Sequence, residues 1–139
     1  MNPPRLILFH KQSTSARTRF MRHADGSVCA FAPLSPQAQL VTPGEEAGTL
    51  ISHPAPLVRA AEQRLGLPAG ALEPEAAFRC AVRCPAGETE VYLARFTAID
   101  PPFAAAEAAG GAFIDLTQAR GLPPLELALL RLAYERILG

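Results

Sequence analysis

The sequence predicts an α/β protein in which a mixed sheet carries helices on both faces. Three observations lead there. An amphipathic helix stands inside the chain at 57–67, with strand-like stretches before and after it. A second helix closes the chain. One stretch, 90–99, is apolar on both of its faces, as a central strand covered from two sides should be. A sheet with a helix layer on each side is the economical way to bury all three.

Composition limits the function classes. At 139 residues, 1–139 reads as a single domain with a core of its own. Apolar residues make up 49% and charged residues 19%, which is globular and not disordered. The apolar run near the N-terminus, Leu6 to Phe9, is too short for a signal peptide or a membrane span, so the expected compartment is the cytoplasm. Three cysteines without a secretory segment argue against a disulfide framework. A net charge of zero gives no reason to expect a nucleic-acid or membrane partner. Yet Arg5, Lys11, Arg17, Arg19 and Arg22 all precede the first acid, Asp25. They read either as a surface for a phosphorylated ligand or as a solvated face.

Leu6 to Phe9 has the pattern of a short buried strand, followed by a polar loop. Residues 18–24 and 27–32 flank Asp25-Gly26, a dipeptide suited to a tight hairpin. Pro33, Pro36 and Pro43 restrict any strand at 39–42 to a short edge piece. Pro43-Gly44-Glu45-Glu46 is a turn with two carboxylates. In the helix, Leu57, Val58, Ala61 and Leu65 share a face, with Arg59, Glu62 and Gln63 opposite. Pro54 and Pro56 mark its start and Gly66 its end. Strands at 77–84 and 90–99 form a second hairpin through Pro85 to Thr89, and Asp100-Pro101-Pro102 stops it. An Ala-rich segment with the single Glu107 connects to a strand at 112–116, and Thr117 caps a helical turn ending at Gly121. Pro123-Pro124 open the last helix, whose seam is Leu127, Leu130, Tyr134, Ile137 and Leu138.

Other chemistry has little local support. Cys80 and Cys84, four apart on a strand, would stand about 13 Å apart, too far for a disulfide or one zinc ion. They read as small core residues, with Arg79 and Arg83 on the opposite face as an anion site or as exposed residues. His10, His23 and His53 show no metal-site spacing, and nothing local pairs Cys29 or a serine with a histidine base.

From about Leu57 to the C-terminus, the chain resembles the Nudix superfamily, whose signature is G-x5-E-x7-R-E-U-x-E-E-x-G-U with U a bulky aliphatic residue. Laid on this chain, the signature matches Leu67 and Gly66 and puts Arg59 on the family arginine. Tyr92-Leu93-Ala94-Arg95-Phe96, the Gly-Ala-Phe-Ile-Asp-Leu strand and the terminal helix are similar to the elements that follow. The resemblance implies a Nudix-like α/β/α sandwich and hydrolysis of a nucleoside diphosphate derivative with Mg²⁺ held by helix glutamates. Here Ala60, Gln63 and Arg64 stand at those three glutamate positions, Ile51 at the upstream one and Glu45 at the glycine. Ala, Gln and Arg cannot build a cage of hard oxygen ligands, so the usual Mg²⁺ site is expected to be lost or much weakened.

Two functions follow from the resemblance. In one, the protein remains a hydrolase in which Glu45, Glu46 and Glu62 hold the metal in an altered arrangement, and Glu107 and Arg59 serve catalysis. Glu62 alternatively forms an ion pair with Arg59 within the helix, and Glu107 is alternatively a solvated residue. In the other, the protein is a non-catalytic module that binds a nucleotide-like or phosphorylated ligand, or a protein partner. Arg19, Arg22, Arg59, Arg79 and Arg83 are the candidate contacts to the anion. The expected partners are a phosphorylated small molecule and a second copy of the chain in a homodimer, with no nucleic acid and no membrane.

Overall fold

The alternation of side chains along the first strand organises the molecule. In the computed structural model, which describes residues 4–30, 32–41, 54–75, 78, 80–85 and 87–138, β1 (Arg5–Lys11) is buried from Leu6 through His10. Ile7 and Phe9 join one apolar cluster, and Leu6 and Leu8 join another. Successive strand residues point to opposite faces, so the two clusters lie on opposite sides of one sheet. Each fully buried aliphatic side chain here stabilises by about 2 kcal/mol.

Among the described residues the sheet is open and mixed, with eight strands. Beside β1 lies β7 (Gly87–Phe96), the pair running parallel with Leu6 opposite Tyr92 and Leu8 opposite Ala94. Outward from β7 come β6 (Cys80–Cys84) and β4 (Gln39–Leu40); outward from β1 come β2 (Thr18–Arg22) and β8 (Ala112–Ile114). Two short strands complete it, β3 (Cys29–Ala30) against the start of β1 and β5 (Leu72–Pro74) against the end of β7. As its two apolar faces require, β7 is central, with Val91 and Leu93 in one cluster and Tyr92, Ala94 and Phe96 in the other.

Among the described residues, three α-helices cover the faces. Val58, Ala61 and Leu65 from the region of α1 (Ala55–Arg64) pack in the cluster of Leu6 and Leu8, together with Ala106 of α2 (Phe103–Ala108). Leu129, Leu130 and Ala133 of α3 (Pro124–Leu138) pack in the cluster of Ile7 and Phe9, beside a 3₁₀ turn at Leu116–Gly121. Among the described residues, no helix is long and apolar enough to cross a membrane.

Several expectations are corrected. The stretches around Asp25-Gly26 do not pair with each other. The β-hairpin is β1–β2, with Phe9 opposite Phe20, and the 23–27 turn carries the chain to β3 against the other half of β1. The Ala-rich connection is helical from Phe103 to Ala108, because alanine has the highest helix propensity and Pro101-Pro102 leave the helix a clean start. Strand β7 begins at Gly87 and ends at Phe96, and β6 begins at Cys80. The 3₁₀ turn starts after Asp115, whose N–H donates to Gln118 Oε1 at 2.8 Å, and not after Thr117. Of the expected α3 seam, Leu130 is buried and Leu127, Tyr134 and Ile137 pack against the same cluster, but Leu138 is 58% exposed, and Glu126, Leu129 and Ala133 complete the buried stripe. Where α2 hands over to β8, a Cβ at Gly111 would run into the Arg22 carbonyl oxygen, so only glycine allows β8 this close to β2.

Candidate functional site

Helix α1 is built as its sequence implies. Pro56 stands in the first turn, where an N–H has no helical partner to lose. At the other end Gly66 takes φ +67, and the N–H of Leu67 bonds back to the Glu62 carbonyl at 2.8 Å, closing a left-handed cap. The chain then turns through 68–71, with Ala71 N–H donating to Pro68 O at 3.1 Å, and enters β5.

That turn determines what Glu62 does. The side chain is only 5% exposed, and one carboxylate oxygen accepts the N–H of Gly70 at 2.9 Å and of Leu72 at 3.0 Å. Glu62 is thus neither on the polar face of the helix nor paired with Arg59; it anchors the following turn. A carboxylate accepting one buried and one part-buried amide in this way is oriented inward by the fold. The signal available in sequence was the closeness of Gly66 and Gly70, which bends the chain back towards the last helical turn.

The outward face of α1 has a different character. Arg59, Ala60, Gln63 and Arg64 are exposed. Ala60, Gln63 and Arg64 stand at i, i+3 and i+4, so they form one contiguous patch. Near the helix end, burial lowers the pKa of His23 below its ordinary value, Asp25 opposes this, and the Arg64 guanidinium adds to it. The last turn of α1 therefore lies electrostatically close to the 23–27 turn.

The other candidate residues are spread over the sheet. Arg19 and Arg22 sit on β2, where Met21 belongs to the α1-side cluster and Phe20 to the α3-side cluster. Alternation therefore directs Arg19 and Arg22 to opposite faces. Arg19 donates to Gln12 Oε1 at 3.3 Å and lies over the Phe103 ring, 5.6 Å from its centroid. Arg22 is held by the Gly26 carbonyl at 3.0 Å. On β6, Arg83 pairs with Glu88 at 3.1 Å. Glu107 is exposed on α2, within the Ala-rich connection. Glu45, Glu46, Arg79 and His53 lie outside the described residues. Among the described residues, no three His, Cys, Asp or Glu side chains form a group able to hold a metal ion.

Two buried polar groups were not anticipated. Glu126, in the first turn of α3, accepts the Ser27 hydroxyl at 2.7 Å and the Val28 N–H at 3.1 Å, and Cys29 N–H donates to Ser27 Oγ at 3.0 Å. Burial first, and Glu126 second, push the Cys29 thiol up to about 12, which disfavours the thiolate at neutral pH. Cys80 is likewise raised by burial, and all three cysteines are free. His10, 1% exposed, donates from Nε2 to the Ala98 carbonyl at 2.8 Å and so pins the chain just beyond β7.

A comparison with known proteins finds no family model that matches the chain and no curated protein similar to it.

Proposed function

We propose that the chain is a Nudix-like α/β/α domain whose helix α1 stands where the family's metal-binding helix stands, and that it works as a non-catalytic module binding a phosphorylated, nucleotide-like ligand. The observation that carries this reading is the division of labour on α1. Its one acid, Glu62, is turned inward onto the Gly70 and Leu72 amides. The three positions that the resemblance assigns to metal-binding glutamates are solvent-facing and hold Ala60, Gln63 and Arg64. A patch of this kind cannot chelate Mg²⁺, and Arg64 opposes a cation there. With Arg59 beside it, the same patch favours an anion. No catalytic step follows from this arrangement.

The test is titration calorimetry and thermal shift on the whole chain, using Mg²⁺ alone, Mn²⁺ alone, and ADP with and without metal. The expected result is no saturable metal binding at about 10 mM, and an ADP-dependent rise in melting temperature that needs no metal and is lost in Arg59→Glu. Glu62→Gln should lower stability by about 1–3 kcal/mol equally with and without Mg²⁺, because it disturbs the acceptor of the buried Leu72 amide and of the part-buried Gly70 amide. Saturable Mg²⁺ binding that Glu62→Gln removes, or release of phosphate from a nucleoside diphosphate derivative, would restore the hydrolase reading.

A further inference from the structure

Beyond the end of β7 at Phe96, the segment 98–102 crosses the end of the sheet without regular structure. Pro101 and Pro102 have no N–H to give to a ladder, so the segment cannot continue the strand. Both of its ends are anchored. Before it, Thr97 donates its N–H to Ala71 O at 2.9 Å and its hydroxyl to Gly70 O at 2.8 Å. After it, the Phe103 ring meets Phe113 edge-on at 5.6 Å and lies under Arg19.

Between these anchors the hold is slight. Ala98, Ile99 and Asp100 are exposed, Ile99 to 79%, and of the five residues Pro101 alone is buried. Two side chains tie the segment to β1 and the loop after it. His10 Nε2 donates to Ala98 O, and Gln12 Nε2 donates to Asp100 Oδ1 at 3.2 Å in an exposed contact.

The residue underneath is not satisfied by this arrangement. His10 is 1% exposed, and its Nδ1 is buried with no hydrogen-bond partner. A backbone carbonyl only accepts, so Nε2 carries a proton towards Ala98 and Nδ1 is left as the unmet atom. A buried polar atom without a partner disfavours the closed form, whereas water supplies the missing bond once the segment lifts. The two hydrogen bonds lost on lifting are likewise replaced by water.

We propose that 98–102 is a lid that lifts off His10 in the folded protein, moving between the anchors at Thr97 and Phe103. The open form brings the His10 imidazole to solvent beside Arg19, the residue directly opposite it in the β1–β2 ladder. Alternation from Leu6 and Leu8 puts this gated histidine on the same face of the sheet as α1.

The test compares two side chains of the folded whole chain at pH 7 by peptide mass spectrometry. Diethyl pyrocarbonate reports access to His10, and iodoacetamide reports access to Cys29, which is fully buried in the opposite layer. Each rate is divided by that of the same residue in the urea-unfolded chain. Local opening is expected to make the normalised His10 rate more than about tenfold the Cys29 rate, because a lid opens more often than the core. Asp100→Ala and Gln12→Ala each remove the exposed tie and should raise the His10 rate about threefold with the Cys29 rate unchanged. A His10 rate within about tenfold of that of Cys29 overturns the proposal, since both residues are then exposed only by global unfolding. So does a His10 rate that neither variant changes, or one that rises only in proportion to that of Cys29. If one variant fails to fold, the other breaks the same contact from its opposite side.

Discussion

Arg17 and Asp115 join the β1–β2 loop to the start of the 3₁₀ turn, ninety-eight residues apart in sequence, through two parallel bonds of 3.1 and 2.7 Å. The hydrogen bond from Arg17 first, and the charges of Arg17 and Arg19 with it, hold the Asp115 carboxyl below the usual aspartate range, against a smaller effect of burial. A carboxyl depressed in the folded state stabilises above the unfolded pKa and loses that contribution as pH falls through the folded value. Asp115→Asn should therefore lower the melting temperature at pH 7 by an amount that shrinks as the pH drops below 3.8. Thermal unfolding followed by circular dichroism at stepped pH checks it. Because the pair is largely exposed, the difference should also shrink in about 1 M salt.

At the scale of elements, the N-terminus of α3 is clasped to the 27–29 segment by Glu126. The carboxylate satisfies a buried hydroxyl and a buried amide, and its charge sits in the first turn, where the helix dipole favours an anion. Glu126→Ala should cost about 3 kcal/mol in urea unfolding, since it strands both donors. Ser27→Ala should cost about 1 kcal/mol, and the double variant less than the sum, because the two share one network. A double variant that is strictly additive would mean that Ser27 and Glu126 act independently. None of this was visible in sequence. Nothing in the local sequence singles out Glu126, and only the topology brings Ser27 to it across 99 positions.

At the scale of the molecule, the sheet divides the core into two layers that do not share side chains. Ile7→Val on the α3 side should cost about 1 kcal/mol, and Val58→Ala on the α1 side about 2 kcal/mol. The costs should add within about 0.5 kcal/mol in equilibrium unfolding, because the backbone of the sheet stands between the sites. A coupling well above that would show the layers to be linked through β1.

The residues whose meaning is local were legible in advance. Val58, Ala61 and Leu65 recur at helical spacing and are buried, and Gly66 takes the left-handed cap its position implies. The two apolar faces of 91–96 foretold a central strand, and prolines foretold the short edge strand at Gln39–Leu40. Pairing was not legible. The dipeptide Asp25-Gly26 suits a hairpin, yet the strands on either side of it both pair with β1, because the hydrophobic register of Leu6 to Phe9 offers each half a partner. Glu62 was misplaced for the same reason. Helical periodicity sets it beside Arg59, but two amides of a turn eight and ten residues away compete for its carboxylate and hold it in the interior. The sequence by itself determined α1, α3 and the central strand, and that Ala60, Gln63 and Arg64 bring no acid to the outward face of α1, since these depend on residue type and short-range spacing. Only the tertiary structure decided where Glu62 turns, which arginines share a face, and that Ser27 meets Glu126, since these depend on strand order and register.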